Sequence, residues 1–173
     1  PDLYDYDPSS AGIGSFGIMG GGSWGMKPGD TMSGETPSHM TALSKVKSGF
    51  VTPTVITADG DYTANDINSA SFNIFQIESG TSGEYFLLQN RNAVGYDLAL
   101  NGLDGTGLYE GGLMITHNSE NVSGNSDDTH RRVDIEEANE PQNDAGGRGH
   151  YNGLFFDGNS RVFDDTTTPN SKR

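Results

Sequence analysis

The side chains most suited to chemistry are oxygen donors in the second half of the chain. Between residues 125 and 144, carboxylates and amides recur at short intervals: Asn125, Asp127, Asp128, Asp134, Glu136, Asn143 and Asp144. Calcium takes about six to eight oxygen ligands and often adds carbonyl oxygens from loops. The pattern predicts a calcium site formed by Asp128, Asp134, Glu136 and Asp144. The alternative interpretation is an acidic, turn-rich surface without a bound ion.

Other combinations that could support chemistry are weaker. Asp5-x-Asp7-x-Ser9 is a second candidate cation loop, although the same spacing suits a turn that its own side chains close. The histidines occupy separate contexts, and we expect them to be exposed or locally hydrogen-bonded: His39, His117, His130 and His150. The sequence contains no EF-hand loop and no G-x-S-x-G nucleophile elbow.

Composition limits the class of protein. The 173 residues carry a formal net charge of -14, which would repel the phosphates of a nucleic acid and makes that partner unexpected. There is no cysteine, which rules out a disulfide scaffold, and no apolar run of the length needed to span a membrane. Asp outnumbers Glu 16 to 8, and Gly occurs 25 times. Because Asp, Asn and Gly favour turns, this composition favours an extracellular, loop-rich, mainly β protein that binds calcium.

The elements that would hold these side chains follow from periodicity. We predict a helix that begins at Thr36-Pro37 and ends before Gly49, because Met40, Leu43 and Val46 recur every three residues. Strands are predicted after it over 50–57, 71–78, 84–90, 112–117 and 132–137. The segments 71–78 and 84–90 should form a hairpin through the Gly-containing turn between them. The tail over 157–173 is polar.

Several short segments, taken in order, resemble the immune inhibitor A family of secreted bacterial zinc metallopeptidases, which are metzincin-like. They are PDLYD at 1–5, GIM at 17–19, GSWG at 22–25, PSHM at 37–40, EYFL at 84–87, GLMITH at 112–117, VDIE at 133–136 and NDAG at 143–146. The closing segment, from Phe163 to Ser171, continues the series. Each segment is short, but their shared order covers almost the whole chain.

The resemblance implies specific roles for residues near the start of the chain. The family's active helix reads H-E-x-x-H-x-x-G-x-x-D and commonly ends in Gly-Leu-Pro-Asp, so Asp2 would be the third zinc ligand. Met19 would be the methionine of the turn beneath the zinc, where it packs and does not coordinate. Trp24 would line the substrate cleft, although a lone Trp is more often a core residue. The H-E-x-x-H portion, with the general base, is absent and would precede Pro1.

The sequence therefore predicts an α+β, mainly β fragment. Residues 1–50 would form the C-terminal subdomain of a metzincin-like catalytic domain, and residues 51–173 a β-rich, sandwich-like portion with acidic cation-binding loops. The expected function is zinc-dependent hydrolysis of peptide bonds in a secreted protein, with Zn²⁺ and Ca²⁺ as cofactors. The partners would be a protein or peptide substrate and the upstream half of the same domain. The alternative is a non-catalytic, calcium-stabilised β-rich surface or matrix module.

Overall fold

Short helices and strands joined by long loops make up the chain. The computed structural model describes residues 2–7, 10–103, 109–138 and 153–171. The helices are α1 (Ala42–Lys47) and α2 (Leu100–Leu103), and single 3₁₀ turns occur at Gly14–Phe16, Gly21–Trp24 and Gly95–Ala99. The strands are β1 (Thr54–Val55), β2 (Phe75–Glu78), β3 (Glu84–Asn92), β4 (Gly111–Ser119) and β5 (Val133–Ile135). The prediction of a mainly β fold is confirmed at this level.

The five strands form one mixed sheet in the order β1-β2-β3-β4-β5. β1 runs parallel to β2, and every other neighbouring pair is antiparallel. β2 and β3 form the predicted hairpin, with Gly80 and Gly83 at positive φ in the turn between them. The sandwich-like arrangement expected for 51–173 is wrong for the described strands. They belong to a single sheet, and loops and short helices, not a second sheet, pack against it.

The sheet buries apolar side chains on both faces, because successive residues of a strand point in opposite directions. Leu87 and Met114 lie on one face, in a core that also includes Leu3, Phe16 and Leu43. On the other face, a smaller cluster consists of Phe86, Ile115, Ala138 and Phe155. Residues from both predicted portions, 1–50 and 51–173, therefore share the larger core. Among the described residues, no helix is long and apolar enough to cross a membrane.

Helix α1 starts later in the chain than the sequence predicts. The residues before it are extended, because Thr36 N donates to Gly25 O at 3.2 Å and Ser38 N to Gly22 O at 2.9 Å. Thr41 is the N-cap instead, and its side chain accepts from Ser44 N. The predicted end is confirmed: Gly49 has φ of 75°, which a Schellman-type ending favours.

The contact between the turn Gly21–Trp24 and the segment before α1 leads to a first prediction. A Cβ on Gly22 would lie 1.8 Å from Ser38 Oγ, 2.5 Å from Ser15 O and 2.8 Å from Gly17 O. The two carbonyl oxygens cannot rotate away, so we expect Gly22→Ala to lower the free energy of unfolding by about 2–3 kcal/mol. Urea denaturation measures the effect.

Gly124→Ala is the matched control, because a Cβ there meets no described atom within 4 Å. It should change stability by less than about 0.5 kcal/mol. Equal stabilities of the two variants would show that the packing around Gly22 is looser than the structure indicates.

Candidate functional site

The N-terminal segment lies against the glycine-rich turn that contains Met19. Leu3, which is fully buried, donates its backbone N–H to Met19 O at 2.9 Å. This bond and the burial of Leu3 hold Asp2 beside the Met19 turn. Met19 is partly buried and packs against the larger core.

Asp2 itself presents an exposed carboxylate. Its Oδ1 accepts from Tyr4 N at 3.1 Å, and its Oδ2 accepts from the Tyr6 hydroxyl. The hydrogen bond from Tyr6, followed by that from Tyr4, lowers the pKa of Asp2. The carboxylate is therefore ionised at neutral pH and accessible, which fits one ligand position of a zinc ion. No histidine precedes His39 in the sequence, so the other ligands would have to come from elsewhere.

Trp24, the last residue of the 3₁₀ turn Gly21–Trp24, is 62% exposed, so it is not a core residue. Its indole Nε1 donates to Tyr4 Oη at 3.1 Å, and Tyr4 Oη lies 2.8 Å from Ser23 Oγ. Trp24 and Tyr4 line a cavity of about 370 Å³ together with Asp5 and Ser10. The location is compatible with the predicted cleft role of Trp24.

Asp5 belongs to the weaker candidate cation loop. Its Oδ2 accepts from both the N–H of Ser10, at 2.9 Å, and the Ser10 hydroxyl, at 2.7 Å. Its Oδ1 accepts from Asp7 N at 3.0 Å. These bonds close the loop by turn chemistry, which is the alternative considered for this spacing. Ser9 lies outside the described residues.

Two acidic residues of the predicted calcium site, Asp128 and Asp134, pair with one arginine. Arg131, with 2% of its side chain exposed, donates from Nη2 to Asp128 Oδ1 and from Nη1 to Asp134 Oδ1, both at 2.8 Å. Glu136 is fully buried. The predicted ligand Asp144 lies outside the described residues. The structure thus brings Asp128 and Asp134 together, but both carboxylates bind the guanidinium of Arg131.

Two neighbouring side chains of the predicted cation loop also have local roles. Asn125 pairs with Val133 through both amide atoms, donating to its carbonyl at 2.8 Å and accepting from its N–H at 3.0 Å. Asp127 Oδ1 accepts from Thr129 Oγ1 at 2.6 Å and from its N–H at 2.9 Å. The bonds from Thr129 lower the pKa of Asp127. Both residues therefore order the loop that leads into β5.

A carboxylate between two imidazoles is a feature that sequence reasoning missed. Glu84 Oε2 lies 3.2 Å from His117 Nε2, and Glu84 Oε1 lies 3.0 Å from His130 Nε2. His130 Nε2 also lies 3.0 Å from Ser119 Oγ. In the described ranges, no group of three or more His, Cys, Asp or Glu side chains has an arrangement that could hold a metal. No sequence pattern indicated the contact of Glu84 with His117, because the two residues come together only through the pairing of β3 with β4, which are distant in sequence.

A buried ion pair is a second feature that the sequence did not reveal. Arg91 and Asp97 have fully buried side chains and form two hydrogen bonds of 2.6 Å. Arg91 Nη1 also donates to Phe16 O at 2.9 Å. The pair connects β3 to the 3₁₀ turn at Gly14–Phe16, and so supports the N-terminal segment that carries Asp2.

Comparisons with protein-family models, curated proteins and solved structures found no match to this chain. A functional assignment must therefore depend on the residues and their geometry. Three groups of side chains are relevant to function. They are the exposed Asp2 beside Met19 and Trp24, the acidic loop around Arg131, and the buried Lys45, which lines an apolar cavity.

Proposed function

We propose that this chain is the C-terminal part of the catalytic region of a secreted zinc metalloendopeptidase that resembles the immune inhibitor A family. The observation that supports the proposal best is the hydrogen bond of 2.9 Å from Leu3 N to Met19 O. A metzincin-like site requires an Asp ligand close to the methionine turn. Here Asp2 directly precedes Leu3, which makes that hydrogen bond, and the Asp2 carboxylate is ionised and exposed.

When bound, zinc would supply Lewis acidity and activate the water that attacks the peptide carbonyl. Asp2 would hold the metal together with two histidines of an H-E-x-x-H segment that precedes Pro1, and the Glu of that segment would be the general base. Within this chain, Tyr4 N and Tyr6 Oη orient the Asp2 carboxylate. Met19 would pack beneath the site.

The exposed indole of Trp24 supports a role in contacting a protein or peptide substrate. Trp24 and Tyr4 line one cavity, and their hydrogen bond of 3.1 Å holds the two side chains together. Aromatic side chains with one polar edge are common at contact surfaces because they offer apolar area and a hydrogen bond together. A peptide bound near Asp2 would contact the surface formed by Trp24 and Tyr4.

The test of the proposal is mass spectrometry of the native protein, read upstream of Pro1. We expect an H-E-x-x-H-x-x-G-x-x-D motif that ends at Asp2. If native residues precede Pro1 and lack H-E-x-x-H, the peptidase proposal fails. If the motif is present, the rival proposal of a non-catalytic module fails.

The rival is a calcium-stabilised β-rich surface or matrix module. It is favoured by the local ion pairs and turn bonds of the acidic loops, which fit a structural role. For calcium to bind at Asp128 and Asp134 it must compete with Arg131 for both carboxylates. Both proposals include calcium, so its presence does not separate them.

Calcium binding leads to a prediction of its own. If the acidic loop holds calcium, EGTA should lower the Tm by about 5–10 °C, because an ion that binds only the folded state stabilises it. Differential scanning calorimetry measures the shift. Calcium added back should restore the Tm, whereas magnesium should not. A Tm that EGTA leaves unchanged would remove calcium from both proposals.

A further inference from the structure

An apolar cavity of about 550 Å³ lies beside helix α1 and the extended segment that precedes it. Its lining includes Ile18, Met40, Phe72 and Tyr96, together with His39 and Lys45. The volume is that of a typical small-molecule site, and such sites combine an apolar wall with a few polar groups. The side chains therefore suit a small apolar ligand.

Lys45 is the unusual member of this lining. It lies within α1 and is only 6% exposed, whereas Lys47 on the same helix is exposed and pairs with Glu120 at 2.7 Å. The Lys45 amine donates to Met40 O. The negative charge of Asp97 acts on the Lys45 amine, but the Asp97 carboxylate is already paired with Arg91 at 2.6 Å.

Burial, with a smaller contribution from the positive charge of Arg91, lowers the pKa of Lys45 to about 6. Asp97 opposes this shift without cancelling it. The amine is therefore mostly neutral at pH 7 and has a free lone pair. A lysine desolvated in an apolar pocket and placed near another cation is an activated nucleophile.

We propose that this cavity binds small apolar aldehydes and that Lys45 forms an imine with them. The lone pair of Nζ attacks the carbonyl carbon, forming a C–N bond while the carbonyl π electrons move to oxygen. A proton then passes from nitrogen to that oxygen, which gives a carbinolamine. The hydroxyl group then leaves as water, for which the remaining N–H supplies the proton, while the nitrogen lone pair forms the C=N bond. The reaction therefore needs no oxidant or reductant.

We assign the proton transfer to His39, the imidazole of this lining. It lines the same cavity, its Nε2 lies 2.9 Å from Asn68 Oδ1, and its ring contacts Tyr96 edge-on at 5.4 Å between centroids. Burial lowers the pKa of His39, so its imidazole is neutral at pH 7 and can accept or return a proton. An apolar carboxylate suits the cavity less well, since it requires a charged Lys45 that burial and Arg91 oppose.

The experiment uses the whole chain and 3-phenylpropanal with cyanoborohydride at pH 7, followed by peptide mass spectrometry. We expect Lys45 to be alkylated at least about tenfold faster than Lys27 or Lys47, because the buried Lys45 amine is mostly neutral at pH 7 and lines the cavity that holds the aldehyde. Glyceraldehyde, a polar aldehyde, should show no such preference. Lys45→Met should lose the rapid labelling, and the matched Lys47→Met should keep it.

The pH profile separates an activated amine from simple accessibility. Labelling of Lys45 should fall below about pH 6 and level off above it. The charged neighbours that act on Lys45 are Arg91 and Asp97, and the pKa of His39 is in turn lowered by burial and, to a smaller extent, by the charge of Lys45.

The proposal is overturned if Lys45 in the unaltered chain is labelled no faster than Lys47. This comparison does not depend on the folding of any variant. Binding of decanoate with proton uptake, and without faster labelling of Lys45, would also overturn it in favour of a carboxylate site. The proposal does not depend on the peptidase assignment, because the residues involved are different.

Discussion

Asp97→Asn should lower the free energy of unfolding by about 3–5 kcal/mol, because it leaves the Arg91 charge buried without its partner. Both side chains are fully buried, and the carboxylate accepts from Nε and Nη2 of Arg91 at 2.6 Å each. Asn has nearly the same shape as Asp, so the loss would come from charge and not from a cavity.

The position of the pair explains why its loss should affect more than one element. Arg91 Nη1 binds Phe16 O at 2.9 Å, and Asp97 Oδ1 accepts from His39 N at 3.0 Å. The pair thus joins β3, the 3₁₀ turn at Gly14–Phe16 and the segment before α1. We expect tertiary circular dichroism signals from both predicted portions of the chain to be lost in one transition.

Urea denaturation at pH 7 measures the effect, and Asp157→Asn is the control. Asp157 pairs with Arg161 at 3.2 Å, but the two side chains are 91% and 71% exposed, so no measurable change is expected. The double variant Arg91→Met/Asp97→Leu should recover much of the loss, because it removes both buried charges. A loss below about 1 kcal/mol for Asp97→Asn would contradict the buried pair.

Acid should remove the stabilisation that the Arg91–Asp97 pair provides. Burial by itself would raise the pKa of Asp97, but the charge and hydrogen bonds of Arg91 outweigh it and lower the pKa below 3.8. A carboxylate with a lowered pKa in the folded state stabilises that state above its unfolded pKa. The stabilisation should be intact above about pH 4 and decline as pH falls through the folded pKa. The Asp97→Asn variant should lack this part of the acid dependence.

Asp2→Ala, made in a longer protein that includes the preceding segment, should weaken zinc binding by well over about tenfold. Asp2 would be one of three protein ligands of the zinc ion. Mutation of a residue that only hydrogen-bonds a ligand already lowers metal affinity by about 10–100-fold. Peptidase activity should fall at least as far. Tyr6→Phe should have a smaller effect of the same sign, because the Tyr6 hydroxyl donates to Asp2 Oδ2.

Zinc content after dialysis against a competing chelator measures affinity, and hydrolysis of a protein substrate measures activity. Asp59→Ala is the control, since Asp59 lies exposed in the loop after β1. If Asp2→Ala retains stoichiometric zinc and full activity, the metal ligand lies elsewhere and the role of Asp2 is wrong.

Local patterns in the sequence predicted much of the secondary structure. The hairpin of β2 and β3 follows from two apolar runs separated by glycines, and the end of α1 follows from Gly49. Both signals act over a few residues. The start of α1 was predicted too early, because Thr36 and Ser38 make backbone bonds to the Gly22–Gly25 segment that no local pattern reveals.

Composition and order of residues by themselves determined a mainly β, acidic chain and identified the oxygen-rich loop as a candidate, whereas Asp2 and Met19 became candidates only through the resemblance to a peptidase family. Only the tertiary structure decided which side chains face one another. It placed Arg131 between Asp128 and Asp134, Glu84 between two histidines, and Lys45 in an apolar cavity. The physical reason is that burial and neighbouring charges set the chemistry of an ionisable group, and these depend on contacts between residues far apart in the chain.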